Sequence, residues 1–216
     1  MILYTYFRSS AAYRVRIALG LKGLSYEPRF VHLLKSGGAQ HDPAYLGLNP
    51  QGLVPSLMHG ELVLTQSLAI IEYLDEVFPA PPLLPADPVR RAAARALAQV
   101  IACDVHPLHN LRVRRYLCTS LRHSEAELGA WQQHWIMEGL GAFERHLANL
   151  ASAARYCVGD APTLADLCLI PQVYAASRWG CDLGALRRIN RVYEHCMRLP
   201  AFSVAAPEAQ PDAEDS

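Results

Sequence analysis

Residues 2–21 read Ile2-Leu3-Tyr4-Thr5-Tyr6-Phe7-Arg8-Ser9-Ser10-Ala11-Ala12-Tyr13-Arg14-Val15-Arg16-Ile17-Ala18-Leu19-Gly20-Leu21, and the reading of this stretch decides the fold. The β-branched and aromatic residues of 2–6 predict a short strand. Residues 10–21 carry Ala11, Val15, Ala18 and Leu19 on one helical face, and Gly23 is placed to end that helix. Between the two lies Phe7-Arg8-Ser9-Ser10. Its two hydroxyls sit where a helix start presents unpaired N–H groups and partial positive charge. One serine suffices as the N-cap; the other is then placed to hydrogen-bond an anion such as a thiolate, and the two readings are compatible.

Working outward, residues 24–33 read as a second strand, with Pro28 arguing for a sheet edge. A loop with Ser36, Gly37 and Gly38 leads to a short helical piece near Tyr45. Residues 54–58 and 61–64 read as two strands around the hairpin signal His59-Gly60. Ser67 reads as the cap of a helix whose Leu68, Ile71, Leu74 and Phe78 recur at spacings of three and four. The order β-α-β-α-β-β-α is the thioredoxin-like arrangement. After a proline-rich linker (Pro79, Pro81, Pro82, Pro85) no strand pattern of any length follows. Asp87-Pro88 starts a long helix running towards residue 117 and kinked at Pro107. A second helix spans 124–150. Thr163-Leu164-Ala165-Asp166 resembles a capping box ahead of a third, and a fourth covers 183–197. The acidic, proline-containing tail 207–216 reads as frayed or draped on the surface. The expected fold class is therefore α/β plus all-α: a thioredoxin-like domain over 1–80, then an all-helical domain over 87–216.

Composition narrows the function classes. Twenty basic residues balance twenty acidic ones, which removes any global electrostatic argument for nucleic acid or for an anionic membrane. No apolar stretch approaches the roughly 20 residues needed to span a bilayer. Six cysteines (Cys103, Cys118, Cys157, Cys168, Cys181, Cys196) are scattered without a CxxC pair, and the opening residues lack the basic region and cleavage site of a signal peptide. The expectation is a cytoplasmic protein with reduced thiols.

The motifs make the reading specific. Ser9-Ser10-Ala11-Ala12-Tyr13-Arg14-Val15-Arg16-Ile17-Ala18-Leu19 resembles the signature of the zeta-class glutathione transferases, whose members isomerise maleylacetoacetate or maleylpyruvate. Further matches follow in order: Leu48-Asn49-Pro50, Val54-Pro55, 66–74 (QSLAIIEYL), Leu84-Pro85, His106-Pro107-Leu108-His109-Asn110, Val158-Gly159-Asp160, 163–168 (TLADLC), Pro171-Gln172-Val173, Arg178 and Asp182-Leu183. The resemblance covers nearly the whole chain. It implies a glutathione-transferase fold, glutathione as cofactor, a small dicarboxylate as substrate and assembly as a homodimer.

The resemblance also implies roles. Ser9, with Ser10, would serve the glutathione thiolate; Val54, before a cis Pro55, would offer its backbone to the cysteinyl part; Gln66 and Ser67 would hold the γ-glutamyl carboxylate at their helix start. Gln40 would contact the other end of the tripeptide, and His106 and Asn110 would line a polar wall opened by the kink at Pro107. Arg8 and Arg178, with Arg112 as a third candidate, would grip the substrate carboxylates. Arg14 and Arg16 are read as facing solvent or holding a carboxylate structurally. Taken without the resemblance, these serines are ordinary caps and these arginines ordinary surface residues. Cys103, His106 and His109 fall three apart, but no second cluster completes a coordination shell, so no metal is expected.

Two positions depart from the family pattern: Ala11 replaces its cysteine and Tyr13 its tryptophan or histidine. With that thiol absent, a mixed disulfide cannot form there, and the chemistry is expected to run through Ser9 and the sulfur of glutathione itself. The rival readings are a general transferase consuming glutathione on electrophiles, with Tyr6 as a phenol at the strand end, and a non-catalytic interaction module.

Overall fold

The computed structural model describes residues 1–150 and 154–213. They divide into two compact units: Met1–Leu83 together with the described part of Met197–Ser216, and Leu84–Cys196. The second-domain segment expected over 87–216 is thus shared between the units, its last residues belonging to the first.

The first unit runs β1 (Ile2–Thr5), α1 (Ser10–Leu21), β2 (Glu27–Phe30), α2 (Pro43–Leu46), β3 (Ser56–His59), β4 (Leu62–Thr65) and α3 (Ser67–Val77). Among the described residues the strands form one mixed sheet in the order β2-β1-β3-β4. β2 pairs parallel to β1, while β3 runs antiparallel to both β1 and β4. The second strand is shorter than the expected 24–33, all four of its residues are exposed, and it lies at the sheet edge, where Pro28 costs no ladder hydrogen bond. Leu3 and Leu57 pair across β1 and β3 and are fully buried. Residues from Ala12 to Leu19 of α1 are all buried, and α1 packs against α3, whose Ile70, Ile71 and Leu74 are buried.

Local chemistry sets the ends of these helices. Gly23, at φ +63°, follows α1; Leu24 N–H bonds the Leu19 carbonyl and Gly23 N–H the Gly20 carbonyl, the paired closure that a left-handed residue permits. At α3 the expected cap is displaced by one residue. Gln66, at φ +69°, is the cap without a side-chain cap bond, and Ser67 is the first helical residue. The buried ammonium of Lys22 donates to Asp75 Oδ1 (2.8 Å), the Phe78 carbonyl (2.7 Å) and the Pro81 carbonyl (2.9 Å), which gives a desolvated charge the partners it requires.

The second unit is helical: α4 (Pro88–Gln99), α5 (Leu111–Thr119), α6 (Glu125–Asn149), α7 (Leu164–Arg178) and α8 (Arg187–Met197). Asp87 caps α4 by accepting from Arg90 N–H (2.8 Å), with Pro88 at the first helical position. The expected kink at Pro107 proves broader. The chain leaves α-helical geometry at Val100, passes through a wide turn over Val100–Val105, and tightens over His106–His109. A Cβ at Gly139 of α6 would overlap Val105, so the wide turn approaches α6 closely only because that position is glycine. Ser124 and Glu127 close a capping box on α6, and Thr163 and Asp166 close one on α7. α7 is buried almost all round, from Leu164 to Ala176, as expected of a central helix. The fourth helix starts at Arg187 rather than 183, after a turn. No helix among the described residues is long and apolar enough to cross a membrane.

The tail departs most from expectation. α9 (Pro200–Ser203) packs on α1, and two further tight turns follow, Pro207–Ala209 and Pro211–Ala213. Phe202, Pro207 and Asp212 are buried. An acidic, proline-containing tail resembles a frayed one because composition does not reveal a distant partner. Here the partners are on α1 and in the loop before it. The last residues of the segment, 214–216, lie outside those described.

Candidate active site

The register of the sheet gathers three separate stretches at one end of the strands. Tyr4 pairs with Ser56, and Ser56 with Thr65. The loop leaving β1, the residues entering β3 and the residues leaving β4 therefore share one end of the sheet. Those segments carry Ser9, Val54-Pro55 and Gln66-Ser67.

Ser9 is the N-cap of α1, at φ −70° and ψ 112°, and its Oγ accepts from Ala12 N–H at 3.2 Å. The division of labour expected between the two serines is therefore different: the residue assigned to the anion is itself the cap, and Ser10 is the first helical residue. The roles do not conflict, since the oxygen accepts while the hydroxyl proton remains available to donate. The N–H groups of Ser10 and Ala11 have no intrahelical acceptor because of their place in the first turn. The loop ahead of Ser9 is tightly held. Ser9 N–H bonds the Tyr6 carbonyl (3.0 Å), and the Arg16 guanidinium donates to the Tyr6 carbonyl (3.3 Å), the Phe7 carbonyl (3.0 Å) and Thr5 Oγ1 (3.0 Å).

Arg16 and Arg14 are each only 2% exposed, which corrects their reading as solvent-facing. Burial lowers the Arg16 pKa to about 10, with the nearby Asp212 carboxylate among the groups opposing that shift. Arg14 Nη1 donates to Ser67 Oγ (3.2 Å) and so brings a buried positive charge to the first turn of α3. Gln66 extends its amide to Gln51 Oε1 (2.8 Å). Its left-handed backbone, uncommon for a residue with a side chain, is the kind of local strain that accompanies ligand sites.

Val54 precedes a cis peptide at Pro55, as expected, and lies beyond the last ladder pair. Its approach is fixed from behind: Tyr45 Oη (2.6 Å) and Asn49 Nδ2 (2.7 Å) both donate to the Leu53 carbonyl. Gln40 is 4% exposed, its Nε2 donating to the Leu33 carbonyl (3.4 Å) and meeting the His41 ring nitrogen (3.1 Å). Its amide is thus turned into its own loop. Arg8 is half-buried, stacked over the Phe7 ring at 4.8 Å, and its Nη2 donates to Tyr6 Oη at 3.1 Å. Tyr6 is 3% exposed in a cluster with Phe7, Val31, Tyr45 and Val54, and its phenol oxygen accepts the bond from the Arg8 guanidinium.

In the helical unit, His106 Nε2 meets Asn110 Nδ2 at 3.4 Å, and Asn110 Oδ1 caps α5 by accepting from Arg112 N–H (3.1 Å). The expected polar pair is brought together, with the asparagine serving the helix start. Arg112 and Arg178 are both exposed. Beside Arg178, the Trp179 ring carries the Arg114 guanidinium at 4.8 Å, which links α5 to the end of α7. Among the described residues, no group of three metal-type side chains converges.

Sequence reasoning gave no role to Asn49, Gln51, Arg114 and Asp212, and read Arg14 as facing solvent or holding a carboxylate structurally. The Leu48-Asn49-Pro50 motif and the signature containing Arg14 offered a signal. The others look like ordinary surface residues until their partners are known.

The first unit fits a tripeptide thiol on its own chemistry: a hydroxyl and free helix-start N–H groups, a backbone segment outside the ladder, and a second helix start with a buried guanidinium behind it. Residues 3–82 match the glutathione S-transferase N-terminal domain family. The chain is 49% identical over 213 residues to the probable maleylacetoacetate isomerase of Vibrio cholerae, spanning 99% of this chain and 98% of that one. It is 47% identical over 214 residues to a maleylpyruvate isomerase of Ralstonia sp., spanning 99% and 100%. A holo structure of maleylpyruvate isomerase, a bacterial zeta-class glutathione transferase, superposes with a TM-score of 0.95 at 47% identity over 99% of this chain and 100% of that one. The maleylacetoacetate isomerase of Methylobacterium extorquens AM1, with bound malonate and glutathione, also gives 0.95, at 43% identity and 99% coverage of both. That of Anaeromyxobacter dehalogenans, with dicarboxyethyl glutathione and citrate in its active site, gives 0.84 at 41% identity, covering 98% and 96%. The chain thus belongs to the zeta class of glutathione transferases, the family of the maleylacetoacetate and maleylpyruvate isomerases.

Proposed function

We infer that the chain is a glutathione-dependent cis–trans isomerase of maleylacetoacetate or maleylpyruvate, with Ser9 as the residue that serves the thiol. The observation that carries the site assignment is that the segments bearing Ser9, Val54 and Gln66-Ser67 share one end of the sheet. The first unit, residues 1–83 and 197–216, contains no cysteine. The buried Cys157 and Cys196 of the second unit have their thiols pushed up by desolvation. With no thiol in the first unit, the reactive sulfur in this reading is that of the cofactor. Glutathione, when bound, supplies a thiolate that adds to the alkene carbon and leaves after rotation about the resulting single bond.

The protein's part is positioning and electrostatics. Ser9 Oγ–H and the N–H groups opening α1 stabilise negative charge on sulfur. Val54 presents its backbone to the cysteinyl segment. The first turn of α3, backed by Arg14, holds the γ-glutamyl carboxylate. Arg8 is the candidate of the first unit for a carboxylate of the substrate, a dicarboxylate of the kind bound in the relatives; Arg178 is the candidate of the second unit, with Arg112 the weaker third. Asn110, committed to capping α5, orients His106 more directly than it could bind the tripeptide. Homodimer assembly and a cytoplasmic location belong to the same proposal; the six cysteines, present as thiols and not as disulfides, support the latter.

The decisive assay mixes the purified protein with each maleyl substrate, with and without glutathione. Loss of the cis-isomer absorbance should require glutathione and leave its concentration unchanged. Stoichiometric consumption would assign a conjugating transferase instead, and inactivity on both substrates would refute the isomerase reading.

A further inference from the structure

The described part of the C-terminal segment lies along α1 and reaches the loop that precedes Ser9. Tyr13 Oη donates to the Phe202 carbonyl (3.0 Å), and Arg16 Nε donates to the Ala205 carbonyl (3.0 Å). Asp212 Oδ2 accepts from Phe7 N–H (2.9 Å), and Ala213 packs against the cluster of Tyr6, Phe7, Val31, Tyr45 and Val54. Asp212 is 7% exposed. The backbone of the loop is thereby gripped from two sides: Arg16 holds the carbonyls of Tyr6 and Phe7, and Asp212 holds the N–H of Phe7. All four bonds of the Arg16 guanidinium go to neutral oxygens. Asp212 is accordingly a carboxylate available to balance that buried charge, and its field reaches Arg16. A buried carboxylate at this point is otherwise costly, since its Oδ1 lacks a protein partner.

We propose that Asp212 is a positioning residue for the reaction: by fixing Phe7 N–H it sets the turn that aims Ser9 and the first N–H groups of α1 at the thiol. The inference rests on the assignment of Ser9 to the thiol. It makes the tail part of the machinery of the first unit, and it accounts for Tyr13, whose hydroxyl anchors α9.

The test compares Asp212→Ala, Asp212→Asn and Ser9→Ala, each verified as folded by circular dichroism. The readouts are kcat, the KM for glutathione and the ultraviolet thiolate band of enzyme-bound glutathione. Asp212→Ala should lower kcat by on the order of ten- to a hundredfold, the cost of a small misplacement of a catalytic group. It should also weaken the thiolate band at neutral pH. Asp212→Asn, which keeps an oxygen acceptor for Phe7 N–H, should recover most of both. A folded Asp212→Ala with wild-type kcat and thiolate band, beside an impaired Ser9→Ala, overturns this inference alone. Full activity in Ser9→Ala overturns the assignment beneath it. Should Asp212→Ala fail to fold, hydrogen exchange at the Phe7 amide decides. Protection in the wild type that Asp212→Asn retains supports the proposal, and exchange at open-loop rates refutes it.

Discussion

Replacing Ser9 tests the site where its two roles can be separated. Ser9 Oγ caps α1 through Ala12 N–H at 3.2 Å; losing a serine cap to alanine costs about 1 kcal/mol of stability, whereas glycine costs only a few tenths. The hydroxyl proton is assigned separately to the thiolate. A hydrogen bond to a charged group is worth about 1.5–3 kcal/mol, which corresponds to raising the pKa of the bound thiol by about one to two units. Near neutral pH the thiolate fraction, and with it kcat, should fall on the order of ten- to a hundredfold. Ser9→Ala and Ser9→Gly should therefore differ in melting temperature yet share the same catalytic loss. Ser9→Thr should retain both functions in large part. The assay is kcat against pH at a temperature well below every melting transition, paired with ultraviolet titration of enzyme-bound glutathione. If the loss of kcat followed stability, small in Ser9→Gly and large in Ser9→Ala, the serine would be a cap and nothing more.

Other outcomes follow from the same geometry. Tyr6→Phe removes one hydrogen bond to Arg8, so kcat should change by no more than about fivefold, equivalent to roughly 1 kcal/mol; abolition of activity would instead assign catalysis to the phenol. Lys22→Met strips Asp75 and two carbonyls of a buried ammonium. It should destabilise the fold by about 3–5 kcal/mol in urea denaturation, with kcat of the remaining folded enzyme unchanged. Glu127 accepts from Ser124 N–H and Oγ, and chiefly the backbone bond holds its pKa below the ordinary value. For a carboxylate depressed on folding, the contribution to stability is present above the unfolded pKa and fades as pH falls through the folded one. Carboxyl NMR should therefore show Glu127 titrating below the ordinary glutamate value, and Ser124→Ala, which removes the hydroxyl but keeps the backbone N–H donor, should reduce the shift without abolishing it.

The sequence determined what depends on near neighbours. The turn at Gly23, the caps at Asp87 and Thr163, and the serine at the start of α1 were all legible, because each is decided within a few residues. The cis peptide at Pro55 was legible only through family resemblance, and the left-handed backbone of Gln66 was not legible, since neither carries much local signal of its own. Tertiary structure decided the rest. Register alone places the loop after β1, the entry to β3 and the exit of β4 at one end of the sheet. Arg14 and Arg16 look like surface charges in a helix, yet both are buried, Arg14 reaching Ser67 and Arg16 reaching the Ala205 carbonyl far along the chain. Asp212 lies 205 residues from Phe7 along the chain. An acidic residue near a terminus appears solvated on its own, and only the folded chain supplies the backbone N–H that makes its burial favourable.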